Sequence, residues 1–216
     1  MKKRIALLGA PASGKGTQAE MIQSRYQIPI TSPGAMLREE KRRGSALGLE
    51  AAELTKKGKL LPDSMIVNLT QTWLEKEGGN GFVLDGFPRT IGQANALEEM
   101  LGKRGTPLDI VLALEANVET LQSRVASRMV CLQCGAIVSV GLHVPSAGSE
   151  CPRCGGALAR RTDDSPETLV TRLLEYREKT EPLLEYYSSR GLLQRVDSSS
   201  APEVVFRSIA ALLEVS

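Results

Sequence analysis

The sequence predicts an α/β protein with one mostly parallel sheet. Short aliphatic or β-branched runs alternate with longer stretches whose apolar residues recur at helical spacing, and this alternation is typical of βαβ units. A chain of 216 residues, 42% of them hydrophobic, is long enough to bury one such core with small insertions. The candidate strands are residues 4–9, 27–31, 81–85, 109–115 and 192–197. Five strands are enough for a single sheet.

The chain begins with MKKRIALLGAP, in which a basic start precedes an apolar run. This pattern is similar to a secretory signal, but Gly9 and Pro11 make the apolar run too short for one, so we interpret it as a buried first strand. No run approaches the ~18 to 20 apolar residues that cross a bilayer. The net charge of +2 and the pI near 8.4 are too mild for binding nucleic-acid backbones. We therefore expect a soluble protein without a nucleic-acid or membrane partner.

The first strand leads into GAPASGKGT, residues 9–17, and then into a helix predicted to begin near Lys15. Glycines at this spacing let backbone N–H groups turn inward, the helix N-terminus adds partial positive charge, and the lysine reaches phosphates. The strict motif has Ser or Thr directly after the lysine, whereas here Gly16 intervenes and Thr17 follows. A glycine-rich turn without a ligand is the alternative. The spacing favours a site for a nucleoside triphosphate.

Apolar residues at helical spacing predict two amphipathic helices. The first face consists of Ala19, Ile22 and Tyr26. The second face consists of Leu169, Leu173, Tyr176 and Leu184. Pro182 lies within the second pattern and is expected to bend or break that helix, because proline cannot donate a backbone hydrogen bond.

Polar residues indicate where further helices begin. Ser165 followed by Pro166 predicts a capped helix start, and Ser200 to Glu203, SAPE, predicts a capping box that opens the last helix. Two stretches do not fit the strand and helix alternation. Residues 32–61 are typical of short charged helices, and the second stretch contains the cysteines. We interpret both as insertions into a single core.

Two Cys-x-x-Cys pairs are separated by sixteen residues, and they contain every cysteine of the chain: Cys131, Cys134, Cys151 and Cys154. This spacing is typical of four thiolates that bind one tetrahedral metal ion. Thiolates that bind metal must stay reduced, which favours the cytoplasm, and two disulfides are the alternative. The spacing alone is compatible with a nucleic-acid-reading ribbon or with a rigid part of a larger unit.

Further motifs follow one another along the chain. They are AMLR at 35–38, LDGFPRTIGQ at 84–93, the arginines at 124 and 128, RRTDD at 160–164, and Arg172. Together with GAPASGKGTQ at 9–18, they resemble the adenylate kinase family along nearly the whole chain. Each motif alone is only suggestive, but the set in this order is highly specific.

The resemblance implies a P-loop kinase core with a five-stranded parallel sheet flanked by helices. It assigns residues 1–31, 62–126 and 165–216 to the core, 32–61 to a helical insertion that binds the nucleoside monophosphate (NMP), and 127–164 to a small zinc-bound lid. The cysteine pairs lie between Arg128 and Arg161, where this family carries its lid.

The resemblance also implies reversible transfer of the γ-phosphoryl group of Mg-ATP to AMP, giving two ADP, with lid closure over the nucleotides. Phosphoryl transfer leaves little covalent chemistry to the protein, so positioning and charge stabilisation supply the rate. The catalytic residues that it implies are Lys15, Asp85, Arg89, Arg128, Arg161 and Arg172. Among them, Asp85 is expected to orient water bound to magnesium.

The binding residues follow from the same resemblance. The ATP-binding set is Gly9, Ala12, Ser13, Gly14, Lys15, Gly16, Thr17, Arg124, Arg128, Ile137, Val138 and Ser200. The AMP-binding set is Pro33, Arg38, Lys59, Leu60, Leu61, Gly86, Phe87, Pro88, Arg89, Gln93, Arg161 and Arg172. Arg38 and Arg89 are expected to hold the AMP phosphate. Gln93 is expected to read adenine, since an amide accepts from the exocyclic amino group and donates to a ring nitrogen, a pairing that guanine does not match.

Two segments depart from the family pattern. The NMP insertion commonly begins with Thr-Gly-Asp, but the aligned stretch here is SPGA, residues 32–35. Ser32 before Pro33 still predicts a helix start, while a contact to the base is expected to be lost. Ala12 replaces a glycine of the phosphate loop, which is tolerable if its φ is negative.

Four thiolates close the coordination shell of the expected zinc, so its role is structural. A lid of about thirty residues is too small to stabilise itself by hydrophobic burial, and the metal replaces the missing core. Its scattered apolar residues include Ile137, Val138, Val140 and Leu142. His143, the only histidine, is expected in an exposed loop and not as a fifth ligand.

Two other functions remain open at this point. Another NMP kinase of the same architecture would take UMP or CMP as acceptor, against which Gln93 favours AMP. A zinc-ribbon binding module would need basic residues around the cysteines, yet Arg153 is the only Arg or Lys between Cys131 and Cys154. We expect a monomer whose ligands are ATP, AMP and ADP, with structural Zn²⁺ and with Mg²⁺ bound to ATP.

Overall fold

The computed structural model describes residues 1–45, 48–49, 61–160 and 164–215. The strands are β1 (Arg4–Gly9), β2 (Ile30–Thr31), β3 (Phe82–Asp85), β4 (Ile110–Glu115), β5 (Arg128–Cys131), β6 (Ile137–Ser139), β7 (Leu158–Ala159) and β8 (Leu193–Asp197). The helices are α1 (Lys15–Tyr26), α2 (Pro33–Arg42), α3 (Asp63–Glu77), α4 (Ile91–Lys103), α5 (Val118–Ser127), α6 (Pro166–Glu175), α7 (Pro182–Ser188) and α8 (Pro202–Glu214). None of the helices in these described ranges is long and apolar enough to cross a membrane.

In the described part of the chain, five parallel strands form the central sheet in the order β2-β3-β1-β4-β8. The five predicted strands are confirmed, although β2 is only two residues long. Leu7 of β1 lies opposite Asp85 at the end of β3, and Gly9 lies opposite Leu114 of β4. The carboxyl ends of β1, β3 and β4 therefore meet at one edge, which is where open α/β sheets bind their ligands.

Helices cover both faces of the sheet, because successive strand residues alternate between the faces. Ile5 and Leu7 pack on one face against α1, where Ala19 and Ile22 are buried as predicted. Leu8 belongs to the cluster on the opposite face, which includes residues of α3, α4 and α7. The central strands are consequently apolar along nearly their whole length, which explains why they could be recognised as continuous aliphatic runs.

The predicted side-chain cap is confirmed at Ser165 and wrong at Ser200, although the last helix does begin in the predicted stretch. The Oγ of Ser165 accepts a hydrogen bond from the N–H of Thr168 at 3.1 Å, directly before α6. In contrast, α8 begins at Pro202, its N-cap is Ala201, and no side chain caps it. Proline at the first helical position has no N–H to satisfy and its φ already suits the helix, so this start does not need the predicted capping box.

The helix that contains Pro182 does not break there. A π-helical turn, Tyr176–Thr180, joins α6 to α7, so the helical chain runs without interruption from residue 166 to residue 188. The N–H of Glu181 donates to the carbonyl of Tyr176 at 2.8 Å, which is the wider hydrogen bond of a π-helix. Leu169 and Leu184 are buried on the predicted face. The wide turn accommodates the proline that was expected to bend or end the helix.

A small antiparallel sheet lies within residues 128–159, in the order β6-β5-β7. Its strands are two to four residues long, too short for an alternating pattern to reveal them in the sequence. Met129, Val138 and Val144 form a small buried cluster against this sheet. Ile137 and Leu142 are exposed instead. The apolar burial here is slight, as the sequence predicted for this segment.

Candidate active site

The loop between β1 and α1 folds around the ammonium group of Lys15. Its Nζ donates to the carbonyl oxygens of Gly9 and Ala10, both at 2.8 Å, and lies 3.3 Å from the Oγ of Ser13. Gly14, with a φ of 93°, is the N-cap of α1, so the first N–H groups of the helix open into the loop. Backbone donors, a helix N-terminus and a lysine are thus combined as in a phosphate-binding loop.

Ala12 has a φ of 65°, so the negative φ that would make alanine tolerable at this position is not found. A residue with a Cβ pays about 1–2 kcal/mol for the left-handed conformation. The carbonyl of Ala12 accepts a 3.5 Å hydrogen bond from NH1 of Arg124, which lies against the loop. The loop therefore keeps the conformation that suits glycine, although alanine occupies it.

Opposite charges face each other at the ends of β1 and β3. Burial lowers the pKa of Lys15 to about 7, an effect that Asp85 opposes and that the cations of Arg89, Arg172 and Arg128 increase. Burial also raises the pKa of Asp85, against the influence of Lys15 and Arg89. An excess of buried cations around one carboxylate is an environment that a polyanion would stabilise.

Asp85 and the start of α1 provide oxygen donors suited to magnesium. The carboxylate lies near Gly16, where an added Cβ would be 3.4 Å from Oδ2 of Asp85. The next residue, Thr17, is exposed and carries a hydroxyl. Carboxylate and hydroxyl oxygens beside a triphosphate site are the ligands that Mg²⁺ prefers, directly or through water. The residues present therefore fit the magnesium ion that is expected with a nucleoside triphosphate.

The chain after β3 turns back towards Lys15 through the cis peptide between Phe87 and Pro88. The Nε of Arg89 donates to the carbonyl of Gly86 at 2.8 Å. An added Cβ on Gly86 would lie 3.3 Å from NH2 of Arg89 and 3.6 Å from Cε of Lys15. With a φ of 69°, this glycine allows the guanidinium and the lysine to approach each other. The structure thus brings these predicted residues of the ATP and AMP sets together.

Gln93 is almost completely buried, with 2% of its surface exposed, and its amide is hydrogen bonded on both sides. Its Oε1 accepts from the N–H of Arg89 at 2.7 Å, and its Nε2 donates to Oδ1 of Asp63 at 2.8 Å. The Oγ1 of Thr90 donates to the other oxygen of Asp63 at 2.5 Å and accepts from the N–H of Gln93 at 3.1 Å. Asp63 was not predicted as a site residue from the sequence. Its only local feature is that it is an acidic residue in the first turn of α3.

Arg124 connects the phosphate loop to the segment that follows β8. Its NH2 donates to the carbonyl of Ser198 at 2.5 Å and to that of Ser200 at 3.4 Å. Burial lowers the pKa of Arg124, and Asp197 opposes this change. Arg124 and Ser200, both predicted to bind ATP, therefore lie together beside the loop, with the arginine bound to backbone carbonyls.

Arg128 and Arg172 share one carboxylate, that of Asp164. The Nε of Arg128 donates to Oδ2 at 2.6 Å, and its NH2 donates to Oδ1. NH1 of Arg172 lies 3.7 Å from the same Oδ1. The sequence motif RRTDD contains Asp164, but no role was inferred for it. The third arginine predicted for this group, Arg161, lies outside the described residues.

The predicted AMP site is described in part. Helix α2 begins at Pro33, and the Oγ of Ser32 accepts a hydrogen bond from the N–H of Ala35 at 3.1 Å, which confirms the predicted helix start. Arg38 adds to the positive charge around the carboxylate at the end of β3. Leu61 is buried in the core cluster on the side of α3 and α4. Lys59 and Leu60 lie outside the described residues.

The four cysteines converge into one cluster. Their Sγ atoms all lie within 4.8 Å of one another, and the Cys131–Cys154 and Cys134–Cys151 pairs are 3.5 and 3.8 Å apart. A tetrahedral zinc ion with Zn–S bonds of about 2.3 Å places its sulfurs about 3.8 Å apart. All four are free thiols, so the alternative of two disulfides is not found. The arrangement fits a closed zinc site with four cysteine ligands.

Each Cys-x-x-Cys pair ends in the same tight turn. Gly135 and Gly155, which follow the second cysteine of each pair, both have a φ of 72°. Their N–H groups donate to the carbonyls of Cys131 and Cys151 at 3.0 and 2.8 Å. The N–H of Cys134 also donates to the sulfur of Cys131, and the N–H of Arg153 donates to the sulfur of Cys151. Both turns thus present sulfurs that are suited to metal binding.

Three other residues of the segment can be placed relative to this cluster. His143 is exposed, and its Nδ1 accepts a hydrogen bond from the N–H of Ser139 at 2.9 Å. It therefore stabilises a turn, as expected of a residue outside the metal site. Ile137 is exposed on β6, and Val138 is buried next to it. Only Ile137 of these two predicted ATP contacts presents its side chain at the surface.

Comparisons with known proteins agree with the geometry. The sequence profile of a family described as adenylate kinase matches residues 7–192. A protein named adenylate kinase from Moorella thermoacetica is 44% identical over 211 residues, which cover 97% of each chain. A protein of the same name from Thermodesulfovibrio yellowstonii is 40% identical over 212 residues, which cover 98% of this chain and 99% of the relative. A third, from Archaeoglobus fulgidus, is 39% identical over 211 residues, 97% of each chain. These matches support a nucleotide-binding kinase over a zinc-ribbon module, and the chain belongs to the adenylate kinase family.

Proposed function

We propose that the protein transfers the γ-phosphoryl group of Mg-ATP reversibly to AMP, giving two ADP. The observation that carries this proposal is the cluster of Lys15, Asp85 and Arg89 at the carboxyl ends of β1 and β3, beside a phosphate-binding loop. The family implies ATP, AMP and ADP as substrates. No side-chain nucleophile is required, because the acceptor phosphate attacks the γ-phosphorus directly.

On the ATP side, Lys15 exchanges its contacts with the carbonyls of Gly9 and Ala10 for the β- and γ-phosphates, while the N–H groups of the loop hold the same phosphates. Magnesium, held through Asp85 and Thr17, would neutralise charge that develops on the phosphates. Arg124 stabilises the conformation of the loop, because it donates hydrogen bonds to the loop and to the segment after β8.

The arginines act on the group that moves. Arg128 and Arg172 lie at one carboxylate and would turn to the transferring phosphoryl group, together with Arg161. Guanidinium groups aimed at the equatorial oxygens stabilise the charge that is distributed there in the transition state. Positioning and electrostatic stabilisation therefore account for the rate.

On the acceptor side, Arg38 and Arg89 hold the phosphate of AMP, and Gln93 reads its base. The positive charge that both arginines direct at Asp85 supports a phosphate site between them. A kinase specific for UMP or CMP would use the same phosphate contacts, so the base contact alone separates these acceptors.

The segment from 127 to 164 is proposed as a lid and that from 32 to 61 as the NMP-binding insertion, with 1–31, 62–126 and 165–216 as the core. A zinc ion bound by the four cysteines would let the lid move as a rigid body, because the segment has little apolar burial of its own. Closure would exclude water, which otherwise accepts the phosphoryl group. Free thiols support a reducing, cytoplasmic location, and we propose a monomer.

Replacing Lys15 tests the proposed site directly. Lys15→Met is expected to lower turnover with Mg-ATP and AMP at least about 100-fold, since the contact strengthens in the transition state. Lys103→Met is the matched control, because Lys103 is an exposed lysine that pairs with Glu99 on the surface of α4. Near-normal turnover by a folded Lys15→Met protein would contradict the assignment. Circular dichroism of both variants verifies the fold.

A further inference from the structure

Two contacts of opposite kind determine how the amide of Gln93 is oriented. The carboxylate of Asp63 can only accept hydrogen bonds, and the backbone N–H of Arg89 can only donate one. The nitrogen of the amide must therefore face Asp63 and its oxygen must face Arg89. The reverse orientation would place two acceptors against each other at Asp63 and two donors against each other at Arg89.

The orientation of this amide decides which purine it matches. Each contact uses one of the two hydrogens of Nε2 or one of the two lone pairs of Oε1, which leaves one donor and one acceptor. Adenine offers an amino group and a ring nitrogen, so it donates and accepts. Hypoxanthine and guanine offer a carbonyl and a ring N–H at the equivalent positions, which is the reverse pattern. A reversed amide would match these bases in place of adenine.

We propose that Asp63 is a positioning residue that sets the specificity for the acceptor base by fixing the orientation of the Gln93 amide. The inference rests on the proposed function, which places the base at Gln93. It adds a determinant from a different element, since Asp63 begins α3 and lies 30 residues before Gln93 in the chain.

The carboxylate of Asp63 is itself held in place. The hydroxyl of Thr90 donates to Oδ2 at 2.5 Å, so each oxygen of the carboxylate has its own donor. Gly92 leaves just enough room for the carboxylate, because an added Cβ there would lie 3.0 Å from Oδ2. Asp63 lies in the first turn of α3, where the helix dipole further favours its negative charge. Gln93 is buried, so water does not compete for these contacts.

The test compares AMP with inosine monophosphate (IMP), which has the same phosphate and ribose but carries hypoxanthine. We would measure equilibrium binding of each by calorimetry, and kcat/KM for each with Mg-ATP. In Asp63→Asn, the new amide can donate as well as accept, so the clash of two acceptors at residue 63 disappears and only the N–H of Arg89 still opposes the reversed orientation of Gln93. The AMP-to-IMP ratio is expected to fall at least about tenfold in both measurements, while the KM for ATP stays within about twofold.

Two further variants separate positioning from general damage. Gly92→Ala should strengthen α4, because alanine is the better helix former, yet it should lower the AMP-to-IMP ratio by displacing the carboxylate. Thr90→Val removes the N-cap of α4 and one of the two donors to the carboxylate, but it leaves the contact between Asp63 and Gln93. It should lower stability and reduce the ratio clearly less than Asp63→Asn does. A positioning role thus predicts that selectivity and stability change independently.

Several outcomes would overturn the inference. Equal affinity of the unchanged protein for AMP and IMP would do so, as would an unaltered ratio in Asp63→Asn or an equal loss of selectivity in Thr90→Val. Because binding is measured without ATP, a protein that prefers AMP but does not phosphorylate it would refute the proposed reaction alone. Phosphorylation of AMP without any preference over IMP would refute the role of Asp63 alone.

Discussion

Arg128 donates two hydrogen bonds to the carboxylate of Asp164, one from Nε at 2.6 Å and one from NH2. The side chain of Asp164 is 2% exposed, and Arg172 approaches the same carboxylate to 3.7 Å. Asp164 is therefore the counter-charge of two arginines that we propose to act on the transferring phosphoryl group. Nucleotide phosphates and Asp164 would compete for the same guanidinium groups.

Removing this counter-charge should destabilise the free protein more than the nucleotide-bound protein. Asp164→Ala leaves two guanidinium groups without their carboxylate, which is expected to lower the free energy of unfolding by about 3 kcal/mol. Saturating Mg-ATP should restore part of the loss, because phosphates replace the carboxylate. Urea unfolding with and without Mg-ATP measures both effects. The control is Glu39→Gln, which neutralises a carboxylate paired with the exposed Arg42 and Arg43 at the end of α2 and should change little. An identical loss with and without nucleotide would show that the arginines do not exchange partners.

The pKa of Lys15 predicts a proton linkage to ATP binding. Burial holds this pKa at about 7 in the free protein, below the ordinary value of about 10.4 in an unfolded chain. The buried cation destabilises the free protein fully below pH 7, and this penalty disappears as the pH rises from about 7 towards 10. A bound triphosphate favours the cation, so binding at pH 8 should take up a proton and weaken as the pH rises.

Calorimetry at pH 8 in two buffers of different ionisation enthalpy counts the protons taken up. We expect most of one proton per ATP for the unchanged protein and clearly less for Lys15→Met, which lacks the group. Proton release, or equal uptake in both proteins, would contradict the linkage.

The left-handed conformation of Ala12 predicts a stabilising substitution. Ala12→Gly should raise the free energy of unfolding by about 0.5–1 kcal/mol, since it relieves about 1–2 kcal/mol of strain and adds some entropy to the unfolded chain. Ala10→Gly is the control, because Ala10 has no positive φ and glycine there should only destabilise. Denaturant unfolding of both variants gives the comparison. A loss of stability in Ala12→Gly similar to that in Ala10→Gly would mean that the loop carries no strain at residue 12.

A buried hydroxyl offers a second route to higher stability. The OH of Tyr187 is buried and finds no hydrogen-bond partner in the part of the chain that the structure describes. Tyr187→Phe should therefore stabilise the protein by about 1 kcal/mol, because no desolvation penalty remains. The neighbouring Tyr186 donates its hydroxyl to Oδ1 of Asn95 at 2.8 Å, so Tyr186→Phe should not stabilise. The melting temperature should rise for Tyr187→Phe and should not rise for Tyr186→Phe. A lower melting temperature for Tyr187→Phe would disprove the account of this hydroxyl.

The cysteine cluster predicts one metal ion per chain with a local structural role. Cys134→Ser should release most of the metal and increase amide hydrogen exchange in residues 128–159, while β1, β3 and β4 remain protected. Leu132→Ser is the matched control, since Leu132 is exposed between the same cysteines. Metal content tests whether the cysteines bind the ion, and exchange rates test whether the ion stabilises the segment. Unchanged exchange in a metal-free Cys134→Ser protein would mean that the metal does not hold this segment.

The parts of the fold and of the site that depend on local sequence could be predicted. The phosphate loop, the central strands and the Cys-x-x-Cys pairs each depend on residues close together in the chain. The pairs of Asp63 with Gln93 and of Arg128 with Asp164 join residues 30 and 36 positions apart, and spacing does not encode such contacts. Their residues could be recognised as polar, but their partners could not.

Predictions from local sequence patterns were also incomplete where the chain could adopt a different local structure. Ser200 has the sequence of a capping box, yet Pro202 begins α8 without a side-chain cap. A π-helical turn carries the helix through Pro182. The strands of the small antiparallel sheet are held by pairing with neighbours and not by their own alternation. In each case the outcome depends on tertiary contacts that the local pattern does not contain.

Product formation with a panel of acceptors tests the central claim most directly. The protein would be incubated with Mg-ATP and AMP, UMP or CMP, and the nucleotides would be separated and quantified. We predict two ADP for each AMP consumed, with kcat/KM for AMP at least about 100-fold above that for UMP or CMP. Absence of ADP formation with AMP, or faster turnover of UMP or CMP, would contradict the account.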